Sequence, residues 1–456
     1  MKHWLLERIQ SYGDSLAISD SSGQYTYAQL HQAVIDNLNF LEEKFQPGQK
    51  VILESDYNFN SIALFVALSL SRLIAIPVIN NNKAELQNKI SVSGADALIK
   101  VNQSDVAIRW TEIKSDNSLA QKVTEKQHSG LILFSSGTTG EPKAMLHDLT
   151  VLLDTYRDKR TRKLVIMVFL MFDHIGGINT LFNILAMGAK AVIPENRNPE
   201  TIACLIENEQ VNILPASPTF LNLLILSEAI ADYDLGSIRM ITYGTEPMPE
   251  ALLSRIKQHF PKAKLLQTFG TSETGIAQIK SRSSNSLDIK IDDPNLDYKV
   301  VNGELWLKSK TTILGYLNAG MEQFTDDGWF KTGDIVEERG ESYLKIVGRK
   351  SDIINVGGEK VLPIEIESFL MSIEGVQDCL VFGEKNALTG QNVAAIIVKK
   401  AGFDEQNLRN TIRKECIRNI QRYKVPAKIY FKNALDYSSR FKKSRKVNNT
   451  ESSYIE

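Results

Sequence analysis

Between Leu131 and Lys143 the chain reads Leu-Ile-Leu-Phe-Ser-Ser-Gly-Thr-Thr-Gly-Glu-Pro-Lys, an apolar run that stops at small and hydroxylated residues and ends in a lysine. Ser135, Ser136, Thr138 and Thr139 bring hydroxyl donors, Gly137 and Gly140 let backbone N–H groups approach an anion closely, and Lys143 adds positive charge. Those are the means of holding a phosphate. The pattern departs from the nucleotide loop G-x-x-x-x-G-K-[ST]: Gly137 and Gly140 are three apart, and Ala144 stands where a metal-binding hydroxyl would be. Taken alone, the segment reads as an anion cradle or as a polar surface loop.

These residues need a scaffold, and the pattern from about Lys50 supplies one. Strand-like runs at Val51–Leu53, Ile74–Val78, Leu98–Val101, Leu131–Phe134, Leu164–Phe169, Ala191–Ile193, Ile213–Leu214, Met240–Thr242 and Leu265–Gln267 alternate with helical stretches such as Ser61–Leu70, Ile178–Met187 and Pro249–His259. Such alternation predicts an α/β fold with parallel sheets covered on both faces. Ligands in these folds bind beyond the carboxyl ends of strands, and turns containing Gly137, Gly244 and Gly270 each follow one. After Lys280, alternating residues such as Gly303-Glu-Leu-Trp-Leu-Lys308 and recurrent turns predict a small β-rich unit. A polar junction, Gly348-Arg-Lys-Ser-Asp352, precedes about a hundred residues with their own alternation, enough for a small α+β domain.

At 456 residues the chain exceeds one ordinary core, and 43% hydrophobic with 23% charged residues is ordinary for a soluble protein. A net charge of -1 gives no reason to expect nucleic acid or an anionic membrane as partner. Cys204, Cys379 and Cys416 form neither a metal spacing nor a disulfide framework, as expected of thiols in a reducing compartment. The opening residues lack the apolar core of a secretory signal, and the most apolar stretches are interrupted or too short to span a bilayer. The expectation is a cytoplasmic protein without a membrane span, its oligomeric state left open.

Read in order, the turns at 135–143, Tyr243-Gly-Thr-Glu-Pro-Met248, Gln267-Thr-Phe-Gly-Thr-Ser-Glu273, Gly328-Trp-Phe-Lys-Thr-Gly-Asp334, and Gly348-Arg349 through Gly357-Gly358 to Glu367 form one series. This order resembles the adenylate-forming superfamily of acyl-CoA synthetases, aryl-CoA ligases, amino-acid adenylation domains and luciferases. The resemblance runs from Gln24-Tyr-Thr-Tyr-Ala-Gln-Leu30 to Arg440-Phe-Lys-Lys443. It implies an AMP-forming acid–thiol ligase: a carboxylate attacks the α-phosphate of ATP, giving an acyl-adenylate and pyrophosphate, and a thiol then takes the acyl group. A carboxylate is already ionised near neutral pH, so alignment and charge neutralisation carry the catalysis rather than a general base.

By that resemblance, Ser135, Ser136, Gly137, Thr138, Thr139, Gly140 and Lys143 would wrap the β- and γ-phosphates, and Glu273, beside Ser272, would hold Mg²⁺. Tyr243, Gly244, Thr245, Glu246 and Pro247 would lie along the adenine, and Thr268, Phe269, Gly270 and Thr271 would complete the nucleotide site. Phe269 and Ser272 stand where the family usually has tyrosine and threonine. Asp334 would accept the ribose hydroxyls, with Arg349 nearby. The resemblance places a large N-terminal domain at residues 1–349, a hinge at 350–351 centred on Ser351, and a mobile C-terminal domain at 352–456. One face of that domain would bring Lys442 to the α-phosphate; the other would present Gly357 and Gly358 to the pantetheine arm of CoA or of a carrier protein. The family context of the lysine is Gly-Lys, whereas Phe441 precedes Lys442 here.

The acyl pocket falls at Phe172, Asp173, His174 and Gly176. With His174 as its gate the substrate is a fatty or aryl carboxylate; with Asp173 gripping an ammonium it is an amino acid. A degenerate paralogue that binds without turnover is the reading from another class.

Overall fold

The computed structural model describes residues 3–79, 82–102, 106–112, 118–135, 142–227, 229–438 and 440–443. Two seven-stranded sheets form the bulk of the chain. In the first, Lys50–Glu54 lies between Ile74–Val78 and Ala97–Val101 as parallel neighbours, and Gly130–Phe134 extends the parallel set beyond Ile74–Val78. In the second, Val165–Met167, Lys190–Val192, Ile213–Ala216, Met240–Tyr243 and Lys264–Gln267 are parallel, and Leu16–Asp20 joins them beside Lys190–Val192. Helix Phe59–Leu70 has every residue from Ser61 to Leu70 buried, and helix Ile175–Met187 is nearly as apolar. Both belong to one core that takes side chains from the two sheets; helix Phe59–Leu70 is apolar on every buried side, whereas Asn179, Thr180 and Asn183 give helix Ile175–Met187 one polar stripe.

The sheets are mixed at their edges. Ala144–Asp148 runs antiparallel to Gly130–Phe134, so the segment 135–143 closes a hairpin instead of leading into a helix. That topology accounts for its failure to match the strand-loop-helix nucleotide pattern. Ser135 N–H donates to the Lys143 carbonyl at 2.9 Å and Lys143 N–H to Ser135 Oγ at 3.2 Å, which pins the mouth of the loop. Ser136, Gly137, Thr138, Thr139 and Gly140 lie outside the described residues.

A six-stranded antiparallel sheet follows, built from Ile279–Ser281, Asp288–Ile291, Leu296–Val301, Glu304–Ser309, Phe330–Arg339 and Tyr343–Arg349. Asp334 and Arg349 face each other across its last hairpin. A single 3-10 turn, Lys350–Asp352, then leads to a separate sheet made of Ile354–Val356, Glu359–Val361, Val376–Asn386, Gly390–Lys399 and Lys428–Phe431, with helices Pro363–Ser372 and Glu405–Asn419. This C-terminal unit docks on helix Glu250–His259, where Arg255 donates to the carbonyls of Met371 at 2.6 Å and Gln377 at 3.0 Å. Met371 lies in the last turn of helix Pro363–Ser372, where carbonyls lack intrahelical partners, and Gln377 lies in strand Val376–Asn386. Among the described residues, no helix is long and apolar enough to cross a membrane.

Candidate active site

The carboxyl ends of the second sheet's strands open onto a solvent-connected cleft that encloses about 1540 Å³ with its open mouth included. Ser135, Lys143, His174, Gly176, Gly244, Thr245, Thr268, Phe269, Gly270, Thr271, Ser272, Glu273, Arg349 and Lys442 all line it. Residues spread over some three hundred positions of sequence therefore share one wall. Four cations, Lys143, Arg349, Arg440 and Lys442, face it against a single carboxylate, Glu273, among the described residues. Such a balance suits a polyanion such as a triphosphate.

The backbone at the strand ends is close-packed. A Cβ on Gly244 would sit 2.3 Å from Thr268 Oγ1, and one on Gly270 would sit 2.4 Å from the Gly275 carbonyl, so the two turns meet only as glycines. Thr245 follows at φ +71, an unusual conformation for a β-branched residue, and it too lines the cavity.

Glu273 is oriented by Tyr316, whose hydroxyl donates to Oε1 at 3.0 Å and also reaches Gln323 Oε1 at 3.3 Å. Burial first, and the Glu273 carboxylate next, push the Tyr316 hydroxyl far above its ordinary pKa, so it stays a donor. Lys143 Nζ lies 5.0 Å from the centre of the Tyr316 ring, a cation–π contact that ties the loop's lysine to the same phenol. Glu273 Oε2 accepts no hydrogen bond from the described residues, and no group of three or more metal-binding side chains occurs among them. One carboxylate oxygen beside a cationic cavity fits Mg²⁺, which takes one or two carboxylates and completes its shell with phosphate oxygens and water.

Asp334 is buried and pairs with Arg349 at 3.1 Å, Oδ1 to Nε. Burial raises its pKa and the Arg349 guanidinium pulls it back. It sits in strand Phe330–Arg339, not at a turn cap, and its arginine lines the cavity while Asp334 stands behind it.

His174 caps helix Ile175–Met187: its Nδ1 accepts from Gly176 N–H at 3.1 Å, which leaves the proton of the neutral ring on Nε2. Burial, then Lys442 and Arg440, hold its pKa down at about 3. A Cβ on Gly177 would come within 2.0 Å of the Met171 carbonyl, so the double glycine lets this helix start against the preceding turn. Leu170, Ile175, Asn179, Thr180 and Ile276 extend the cavity past His174.

Lys442 and Lys443 part company. Lys442 lines the cavity, and burial lowers its pKa to about 8, opposed by Glu246 and helped by Arg349 and Arg440. Lys443 Nζ instead sits 2.6 Å from Asp378 Oδ1 and donates to the Cys379 carbonyl at 2.8 Å within the C-terminal unit.

Several motif residues point elsewhere. Phe172 is fully buried and stacks on Tyr57, Tyr243 turns into the core, and Asp173 meets Arg440 at 3.4 Å. Glu246 accepts the Thr219 N–H at 2.7 Å at the start of helix Pro218–Leu226, and burial raises its pKa. Pro247 follows it off the cavity wall. Gly357 and Gly358 are exposed at φ +60 and +96, away from the cavity, and Ser351 is an exposed residue of the 3-10 turn. Tyr316, Asn179, Gln323 and Arg440 escaped the sequence reading. The only signal for Arg440 was its place in a basic run, and nothing marked the others.

Family models describe this arrangement. The AMP-binding enzyme family matches residues 5–317, and the AMP-binding enzyme C-terminal domain matches residues 365–442. A 2-succinylbenzoate–CoA ligase of Enterococcus faecalis is 24% identical, covering 94% of this chain and 94% of its own. An anthranilate CoA ligase solved with anthranoyl-AMP superimposes with a TM-score of 0.81 at 18% identity, over 96% of this chain and 95% of the other. An o-succinylbenzoate CoA synthetase of Bacillus subtilis, solved with its acyl-adenylate intermediate, gives a TM-score of 0.77 at 21% identity, over 98% and 97%. With the family models covering most of its length and the same two-part architecture in these structures, the chain belongs to the AMP-binding enzyme family.

Proposed function

We propose that this protein is an AMP-forming CoA ligase for an aryl carboxylate, and that the cavity holding Lys143, Glu273, Arg349, His174 and Lys442 is its adenylation site. The observation that carries the reading is the entry of Lys442, with Arg440, from the C-terminal unit into a cavity whose other walls belong to the N-terminal part of the chain. The substrate carboxylate oxygen attacks the α-phosphorus of ATP, the bond to the bridging β-oxygen breaks, and pyrophosphate leaves. Lys143 and the hydroxyls of its loop take the β- and γ-phosphates, Lys442 neutralises charge at the α-phosphate, and Asp334 with Arg349 takes the ribose. Glu273 would hold Mg²⁺, which supplies Lewis-acid neutralisation of the phosphate oxygens.

CoA then attacks the acyl carbonyl through its thiolate, AMP departs, and a thioester remains. Gly357 and Gly358 face away from the cavity in this arrangement, so their thiol-guiding role requires rotation of residues 352–456 about the turn at Ser351. We propose domain limits of 1–349 and 352–456 with the hinge at 350–351, a division that the turn Lys350–Asp352 supports.

The acyl end supports an uncharged ring. His174 is neutral, Leu170, Ile175 and Ile276 are apolar, and Asp173 spends its charge on Arg440 rather than in the cavity, so no carboxylate grips a substrate ammonium. Pyrophosphate release from MgATP over a panel of aryl, fatty and amino acids tests this, with benzoate-like acids expected to lead. No release with any acid by folded protein rejects the reading. Including an acyl carrier protein beside CoA tests the acceptor: faster acylation of the carrier would replace CoA as the partner.

A further inference from the structure

Phe441 stands where the family carries glycine, and it adopts a conformation suited to glycine. Its φ is +51, inside a turn in which Ser438 N–H donates to the Lys442 carbonyl at 2.9 Å and Phe441 N–H to the Ser438 carbonyl at 2.9 Å. A side chain in the left-handed region is disfavoured, so local backbone preference does not account for a phenylalanine there. The ring's surroundings do. It packs 5.4 Å from Phe169 and 5.4 Å from Phe220, edge-on to the latter, and these two rings lie 4.2 Å apart at the carboxyl end of the second sheet. The Phe441 carbonyl accepts from the Ser217 hydroxyl at 2.8 Å, and Ser217 Oγ in turn accepts the Phe220 N–H at 3.1 Å. Arg440, one residue back, reaches Asp173. Three contacts to the N-terminal part thus immediately precede Lys442, and the aromatic one is available only because glycine is missing.

We propose that Phe441 is a positioning residue that anchors the C-terminal domain with Lys442 inside the adenylation cavity, biasing the domain equilibrium toward the first half-reaction at the expense of the second. The inference rests on the adenylation reading of the cavity. Departure of the C-terminal domain for thioester formation must pull the ring off the Phe169–Phe220 pair. A glycine would relax the turn and remove that barrier together with the anchor.

The test separates the two half-reactions and adds a readout that needs no turnover. Labels on exposed Glu405 and Lys262, each exchanged for cysteine in a Cys204→Ser background, report the distance between the two parts of the chain. Unliganded Phe441→Gly should broaden that distribution or add a second population, and Phe441→Leu, which keeps apolar bulk, should restore most of it. Phe441→Gly should slow the adenylation step at least about fivefold, the order expected from losing two aromatic contacts. Its KM for ATP and for the acid should change less than about twofold, with half the rate or more recovered in Phe441→Leu. Thioester formation from preformed acyl-adenylate and CoA should hold or rise. Unchanged distances in Phe441→Gly overturn the anchor, as does an adenylation rate that stays level or increases. If the unsubstituted protein releases no pyrophosphate, the adenylation reading fails, and the distance measurement still decides whether Phe441 holds the domain.

Discussion

Lys443 Nζ lies 2.6 Å from Asp378 Oδ1 inside the C-terminal unit, and this pairing commits the second of two adjacent lysines to structure while Lys442 projects into the cavity. Lys442 closes the turn that begins at Ser438 and Lys443 pairs with Tyr437 just beyond it, so one basic dipeptide carries two jobs. Lys442→Ala should cut adenylation by about a hundredfold or more without lowering the melting temperature, since it removes a charge that burial disfavours. Lys443→Ala should destabilise the fold by about 3–5 kcal/mol, because it strands the buried Asp378 carboxylate. Thermal melts alongside pyrophosphate release distinguish them, and loss of chemistry with a stable fold in Lys443→Ala alone would move the catalytic assignment by one residue.

The pH dependence follows from Lys442. Its pKa is lowered to about 8 by burial, with Glu246 and Asp334 raising it and Arg349 and Arg440 lowering it further. Only the ammonium form neutralises phosphate charge, so kcat/KM for adenylation should fall as pH rises through about 8, losing roughly tenfold per unit above it. Arg440→Met removes a neighbouring positive charge and should move that limb upward. For stability the sign is opposite. The folded pKa lies below the unfolded value, so the unfolded chain binds more protons between them, and the penalty of burying Lys442 is relieved as pH climbs through about 8 and beyond. A limb that stays put in Arg440→Met would contradict this electrostatic account.

Glu273 and Tyr316 make a separable pair. Glu273→Gln keeps an acceptor for the phenol but loses the charge that would hold Mg²⁺, so adenylation should collapse at all Mg²⁺ concentrations. Tyr316→Phe keeps the charge and removes its orientation, so it should raise the Mg²⁺ concentration for half-maximal rate by about 10–100-fold and be rescued by excess metal. An unchanged Mg²⁺ dependence in Tyr316→Phe would mean that Tyr316 does no positioning.

The sequence reading located the strand ends and the glycine turns because close backbone contact leaves residue type no freedom: Gly244 against Thr268 and Gly270 against Gly275 permit no side chain. It did not say which way each motif side chain would face. Tyr243 and Phe172 sit within recognisable segments yet turn inward, since neighbouring positions alternate between core and cavity. Tyr316 was illegible for another reason. It reaches Glu273 because Gly315–Tyr316 pairs with Met145–Leu146, a long-range register that no local pattern encodes. Likewise Asp334 and Arg349 meet only once the hairpin register is known.

Asn179 offers the sharpest probe of acyl selection. Its Oδ1 accepts from the Tyr156 hydroxyl at 2.9 Å and from Asn183 Nδ2 at 3.1 Å, which settles the orientation of the amide. The amide nitrogen makes no bond to the described residues, and Asn179 lines the cavity one helical turn beyond Ile175. It is therefore, beside the His174 Nε2–H, a group free to donate to a polar acceptor on the acyl chain, a distinction that a hydrogen-bonding site can enforce far more strongly than an apolar wall. Asn179→Asp retains the oxygen that Tyr156 and Asn183 need and replaces the donor with a second, negatively charged acceptor, so the contacts within the fold should be preserved while a ring acceptor meets repulsion. The KM for aryl acids bearing a ring acceptor should rise about tenfold or more, that for unsubstituted benzoate much less, and that for ATP hardly at all. Equal losses for both acids would show that position 179 reports on the shape of the pocket and not on a hydrogen bond to substrate.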